Sequence, residues 1–170
     1  MAALPTYLLR GALAGAAGTT ALNAATYADM ALRARPASST PEQTVERGAQ
    51  LVGLPLPEDP DKRQARESGL GSLLGAAVGV GAGAALGAMR GLTGHPRSRL
   101  GTLGTAWLLA MLTGNTPMTV LGVTDPRSWS PADWAADVLP HLAYAVVAAA
   151  TLDGFEPAGV TADIGGRGMG

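Results

Sequence analysis

The stretch 71-GSLLGAAVGVGAGAALGAMRG-91 carries glycine at every fourth position, Gly71, Gly75, Gly79, Gly83, Gly87 and Gly91, and no charge before Arg90. In water each glycine inside a helix costs roughly 1 kcal/mol relative to alanine, so this row makes a poor soluble helix. In a bilayer no water competes for the backbone, and small residues at i, i+4 let a second helix come close. The row therefore predicts a membrane-spanning helix packed in the manner of a glycine zipper. Residues four apart drift by about 40° around a helix. The middle of the row is accordingly expected to carry the closest contact.

Composition agrees with a membrane setting. Charged residues are 15% of the chain and hydrophobic residues 47%, yet mean hydropathy is only +0.20, because alanine and glycine fill the apolar segments. Such segments depend on partner helices. A net charge of -1 offers no basic footprint, so nucleic acid is not an expected partner. With no cysteine there is no disulfide, thiolate metal site or cysteine nucleophile. Arginine outnumbers lysine eleven to one, a bias typical of GC-rich bacterial coding.

Charge-poor windows of about 20 residues define four spans: 11–32, 69–89, 100–123 and 132–152. Tyr7 and Tyr27 bracket the first, and Trp129 and Trp134 open the fourth, as an interfacial aromatic belt does. Asp29 and Arg33, four apart, form an expected pair at the interface. A signal peptide is the competing reading of the first segment; the near absence of a positive n-region and the polar Thr19, Thr20 and Asn23 argue against it.

Between the first two spans, residues 33–68 are polar and proline-rich. Thr40 followed by Pro41, Glu42 and Gln43 marks a helix start, and Val45, Ala49 and Val52 give that helix a narrow apolar face. A short amphipathic surface helix is expected, ended by Pro55 and Pro57, with Asp59 and Pro60 restarting the chain. Arg90, Arg97 and Arg99 cluster with no acid around the turn after the glycine row, which favours a cytoplasmic turn and cytoplasmic termini. Basic residues in the first loop nearly cancel that bias. In span three Gly114, Asn115 and Pro117 predict a kink or an unwound turn.

The most polar helix face opens span four. Ser130, Pro131 and Asp133 predict a capping box, and Asp133, Asp137, His141 and Tyr144 then fall on a stripe about 80° wide. Thr19, Asn23 and Tyr27 form a second stripe on span one, expected to face the first. Asp137 and His141 have two readings: a proton relay or ion site, or a structural pair tying span four to Asn23 or a backbone carbonyl. Asp133 and Asp137 also lie near the helix N-terminus, where carboxylates are favoured. A metal site is not expected, since the second histidine, His95, lies on the turn beyond span two. No nucleophile with its base, phosphate loop or dinucleotide fingerprint appears, so neither an enzyme nor a cofactor is expected.

The segments GAAGTTALNAATYADMALRARPASSTPEQTVE and GVTDPRSWSPADWAADVLPHLAY resemble parts of small four-span bacterial membrane proteins of actinobacterial type. The resemblance covers about half the chain and implies a plasma-membrane location; it brings no activity, substrate or catalytic residue. The expected fold is all-α, a four-helix transmembrane bundle in a single domain with a surface helix in the first loop. The expected function is a non-enzymatic packing scaffold or accessory subunit, in contact with lipid and with either copies of itself or another membrane protein. The alternative is a small transporter or channel using the Asp137/His141 face and a broken third span.

Overall fold

Proline and small polar residues set the helix starts. The computed structural model describes residues 4–93 and 98–155, which form five α-helices and no strand. These are α1 (Leu4–Arg33), α2 (Thr40–Leu51), α3 (Pro60–Thr93), α4 (Arg99–Val120) and α5 (Pro131–Gly154), with a short 3-10 turn, Pro126–Ser128, before α5. Pro41, Pro60 and Pro131 each stand in the first turn, where a missing N–H is harmless. Asp59 Oδ1 accepts from the Lys62 amide at 3.0 Å, and Ser130 and Asp133 close a full capping box. For α2 the cap lies one residue before Thr40: the chain turns at Ser39, and Gln43 reaches back to the Ser39 hydroxyl at 2.8 Å. α1 ends as its charges require. Asp29 holds Arg33 at 2.6 Å and also Arg35, which a left-handed Ala34 (φ 50°) folds back onto it.

The glycine row finds its partner in α1, antiparallel to α3. A Cβ added at Gly83 would stand 2.5 Å from the Gly15 amide nitrogen, one at Gly87 would stand 2.8 Å from Gly11 Cα, and one at Gly91 would meet the Tyr7 ring at 2.7 Å. No side chain fits there. Four glycines instead turn a Cα hydrogen toward the facing backbone: Gly83 toward the Gly11 carbonyl, Gly87 toward that of Tyr7, and Gly11 and Gly15 toward those of Gly83 and Gly79. The row does not act as one seam. Gly71 packs against Pro41 of α2, while Gly75 has open space where a side chain would be.

Remaining contacts order the helices. Arg90, 8% exposed, pairs with Asp153 at 2.6 Å, which joins the C-terminal ends of α3 and α5. Arg90 is thus a buried, paired group rather than part of the acid-free cluster read from the sequence; Arg97 and His95 lie outside the described residues. Arg10 of α1 stands over Phe155 just beyond α5, 6.0 Å from its centroid, at that same end. α1 and α4 therefore run against α3 and α5. α2 folds back on the first turns of α3, where Arg63 bonds Glu67 at 2.9 Å and Glu46 at 2.6 Å, and Ser68 bonds Glu42 at 3.0 Å.

The interior is built of small side chains. Ala14, Ala82, Ala106, Ala110, Ala145, Ala148 and Ala149 are buried, with Leu86, Leu152 and Tyr144 the large members. Large apolar side chains point outward: Leu73 is 67% exposed, Leu100 81% and Leu112 61%. α3 and α5 are long and apolar enough to cross a membrane, and only 22% and 33% of their most apolar windows are buried. α1 and α4, with 30 and 22 residues, are long enough but fall short in apolarity, since alanine, glycine and threonine dominate them. The unwound turn expected at Gly114, Asn115 and Pro117 does not form. α4 runs continuously through Gly114, Asn115 and Pro117, and proline in its last turn deprives only the Thr113 carbonyl of its helical donor.

Candidate functional site at the seam between helices 4 and 5

The polar stripe of α5 divides among three neighbourhoods. Asp133 stays at the exposed helix start, where its carboxylate accepts from the Ser130 amide at 2.9 Å and hydroxyl at 2.7 Å; it is a cap. Asp137 and His141 turn to α4. Tyr144, 2% exposed, turns to α1 and α3, where its hydroxyl donates to the Gly79 carbonyl at 2.7 Å. Its ring lies on Gly18, where an added Cβ would stand 2.8 Å from Cδ2. Tyr144 is therefore the bolt between α1, α3 and α5.

Asp137 and His141 sit about 40° apart around the helix, so both reach one seam. Asn115 of α4 donates Nδ2 to Asp137 Oδ2 at 3.0 Å. His141 Nδ1 lies 2.7 Å from the Asp137 carbonyl oxygen and 3.5 Å from its Oδ1, with the two side chains 14% and 17% exposed. A carbonyl oxygen only accepts, so Nδ1 carries the hydrogen and the neutral ring keeps its lone pair on Nε2. That Nε2 edge overlies Gly114, where an added Cβ would stand 3.1 Å away. Gly114 thus clears the imidazole, and its neighbour supplies the amide.

The seam has more acceptors than donors. Asn115 Oδ1 is buried with no hydrogen-bond partner, because an amide that offers its NH2 to a carboxylate must point its oxygen away. Its other amide hydrogen has only the Met111 sulfur, 4.0 Å distant. An unpaired buried carbonyl costs about 1–3 kcal/mol. Pro140, buried beside this face, adds a second acceptor by depriving the Ala136 carbonyl of its helical donor.

The expected union of the two polar stripes does not form. Asn23 is exposed on α1, as is Tyr27 at 63%, and His141 makes its contacts within α5 and with α4. Thr19 bonds the Gly15 carbonyl at 2.8 Å and packs on Gly79, serving the glycine contact. α1 turns Gly11, Ala14, Gly15 and Gly18 inward, and this face excludes its own polar stripe from the core.

Two groups escaped the reading of the sequence. Asn115 forms an interhelical bond rather than helping Gly114 and Pro117 break the helix, and an amide inside an apolar stretch is itself a sign of such a bond. Gly11, Gly15 and Gly18 were legible as a second small-residue face, the natural mate of the glycine row. Among the described residues no group of three or more His, Cys, Asp or Glu is placed to hold a metal ion. Protein-family models, curated proteins and solved structures were compared with this chain, and none matches.

Proposed function

We propose that this chain is a multi-pass protein of a bacterial plasma membrane, a four-span bundle that acts as a non-enzymatic packing scaffold or accessory subunit. The observation that carries this reading is the inversion of the molecule: small residues fill its interior while leucines cover the outside of α3, α4 and α5. Water would penalise such a surface, and lipid would not. In that setting α1 and α4 cross as members of the bundle, supported by α3 and α5, although neither is strongly apolar alone. The resemblance to four-span actinobacterial proteins points the same way. With α1 and α5 antiparallel, the two termini share one side and the α2 loop takes the other.

The chain has no cysteine, so single introduced cysteines report topology cleanly. Cysteines at Ser38 and Thr161 label from opposite faces of an intact membrane if four segments cross; labelling from one face removes a span. The scaffold role is tested by photo-crosslinking in native membranes from Leu74 and Gly81, both exposed on α3. A scaffold gives one discrete adduct, with a copy of itself or with another membrane protein, and adducts from no outward position overturn the role.

A second reading, a small transporter or channel, is favoured by the unpartnered Asn115 oxygen beside Asp137 and His141. It does not use a broken third span. Its test is a pH-dependent flux in proteoliposomes that His141→Ala abolishes.

A further inference from the structure

α2 bridges α3 and α4. Its first turn covers Gly71 of α3 through Pro41, and its last two turns reach the end of α4, where Arg47, Gln50 and Leu51 with Val120 and Leu121 line a cleft of about 240 Å³. Both walls end in fixed turns. Gly53, in the left-handed region (φ 67°), turns the chain so that the Leu54 amide donates to the Ala49 carbonyl at 2.9 Å, and the Leu121 amide donates to the Pro117 carbonyl at 2.9 Å. Arg47 forms no ion pair among the described residues, and its side chain reaches only Gln50 Oε1, at 3.4 Å. Arg63, by contrast, is held by Glu46 and Glu67. Leu51 is 74% exposed and Val120 78%. An unpaired guanidinium beside two bare apolar side chains suits a ligand that carries both a negative charge and hydrocarbon.

The height of the cleft selects among such ligands. α4 and α5 are antiparallel and meet where Asn115 bonds Asp137. At 1.5 Å per residue Val120 lies about 7.5 Å beyond that contact and Trp134 about 4.5 Å beyond it, toward the same end. Trp129 packs edge-on against Trp134, with ring centroids 4.9 Å apart. Tryptophans at one height mark the headgroup level of a bilayer, so in the proposed membrane the cleft opens where lipid phosphates lie.

We propose that this cleft binds one glycerophospholipid, whose phosphodiester is held by Arg47 and Gln50 while its acyl chains pass Leu51 and Val120 to the apolar surface of α3 and α4. Guanidinium and phosphate match in charge and in the geometry of paired N–H donors. The cleft is smaller than the roughly 300–1,000 Å³ of pockets that enclose a drug-sized ligand, so the headgroup enters and the chains stay outside. Gln50 Nε2 lies 3.5 Å from Glu46 Oε1, so a second negative charge on the ligand would face a carboxylate. A lipid with one phosphodiester charge therefore fits best. The inference rests on the plasma-membrane reading, which supplies the lipid.

Native mass spectrometry of the full chain in detergent, titrated with dioleoylphosphatidylglycerol, counts bound lipids at each concentration. Arg47→Ala should weaken the first binding event by about tenfold, the scale of a lost charge-assisted hydrogen bond. Val120→Asp, on the opposite wall, sets a like charge against the phosphate and should weaken it at least as much. Arg66→Ala removes another exposed arginine with no ion pair among the described residues, and leaves the first binding unchanged. Dioleoylglycerol, which lacks the phosphate, and glycerol phosphate, which lacks the chains, each bind at least about tenfold more weakly than the lipid. Parent-like binding by Arg47→Ala or by Val120→Asp, an equal loss in Arg66→Ala, or glycerol phosphate that binds as tightly as the lipid overturns the proposal. Cysteine labelling separates this from the reading beneath it. Opposite labelling at Ser38 and Thr161 with no effect of Arg47→Ala removes the lipid site and keeps the membrane protein, and a chain recovered outside the membrane fraction overturns both.

Discussion

The α1–α3 seam and the α4–α5 seam hold the molecule together by different means. At the first, two glycine faces bring backbone against backbone, leaving no room for a Cβ at Gly11, Gly15, Gly83 or Gly87. At the second, an amide, a carboxylate and an imidazole meet across a single cleared position, Gly114. In the proposed lipid setting, where apolar side chains gain little by meeting each other, dispersion at close range and interhelical hydrogen bonds are the two forms of adhesion available. The first form uses only backbone and has no chemistry to spare. The second leaves the Asn115 oxygen without a partner.

The widest separation of the two seams comes from bulk. Gly83→Leu or Gly15→Leu forces α1 from α3 and should cost more than about 3 kcal/mol, at the far end of overpacking effects, seen as a large loss of thermal stability in detergent. Gly114→Leu displaces the imidazole, a flexible group, and should cost less than either. A result in which Gly114→Leu is the most damaging would reverse the assignment of steric and polar adhesion.

Polarity should divide the seams next. Asn115→Leu strands Asp137 and should destabilise by about 1–3 kcal/mol, while the double variant Asn115→Leu/Asp137→Leu recovers most of that loss by removing both partners. Thermal melts of the two single variants and the double variant form the cycle that decides this. Additive losses would mean that the two side chains do not interact.

Tyr144→Phe tests the bolt that links the regions. It keeps the ring on Gly18 and removes only the bond to the Gly79 carbonyl, so a loss on the order of 0.6–2 kcal/mol is expected. A melting point equal to the parent's would show that shape alone fastens α5 to α1 and α3.

The smallest effect belongs to the outward glycines. An added Cβ at Gly75 or Gly81 meets nothing within 4 Å, so Gly75→Leu and Gly81→Leu should change the stability of a single chain by less than about 0.5 kcal/mol. Ala82→Leu is no substitute for these as a neutral control, because Ala82 is 3% exposed and packs with Ala110, Tyr144 and Ala148. A loss at Gly81 comparable with that at Gly83 would place another helix on the outside of α3.

Legibility differed between the seams for a physical reason. Periodicity is a property of one helix, so the four-residue glycine spacing and the stripe from Asp133 to Tyr144 were visible along the chain. Pairing is a property of two helices. Asp133 looked like one of four members of a site because it shares their angular position, yet its nearness to the helix start made it a cap. Asn23 looked like the natural partner of His141 because both are polar at similar depth, yet the rotation of α1 that seats its glycines on α3 carries Asn23 outward.

By itself the sequence determined that the described residues fold as helices without a strand, where α2, α3 and α5 begin, which segments lack charge, and that Asp29 meets Arg33, since capping, proline placement and i,i+4 neighbours are decided within a few residues. Only the tertiary structure decided that the glycine row meets Gly11 and Gly15, that Arg90 meets Asp153, and that Asn115 faces Asp137. Those choices depend on how each helix is rotated about its own axis, and the rotation is set by the closest approach that the glycines allow.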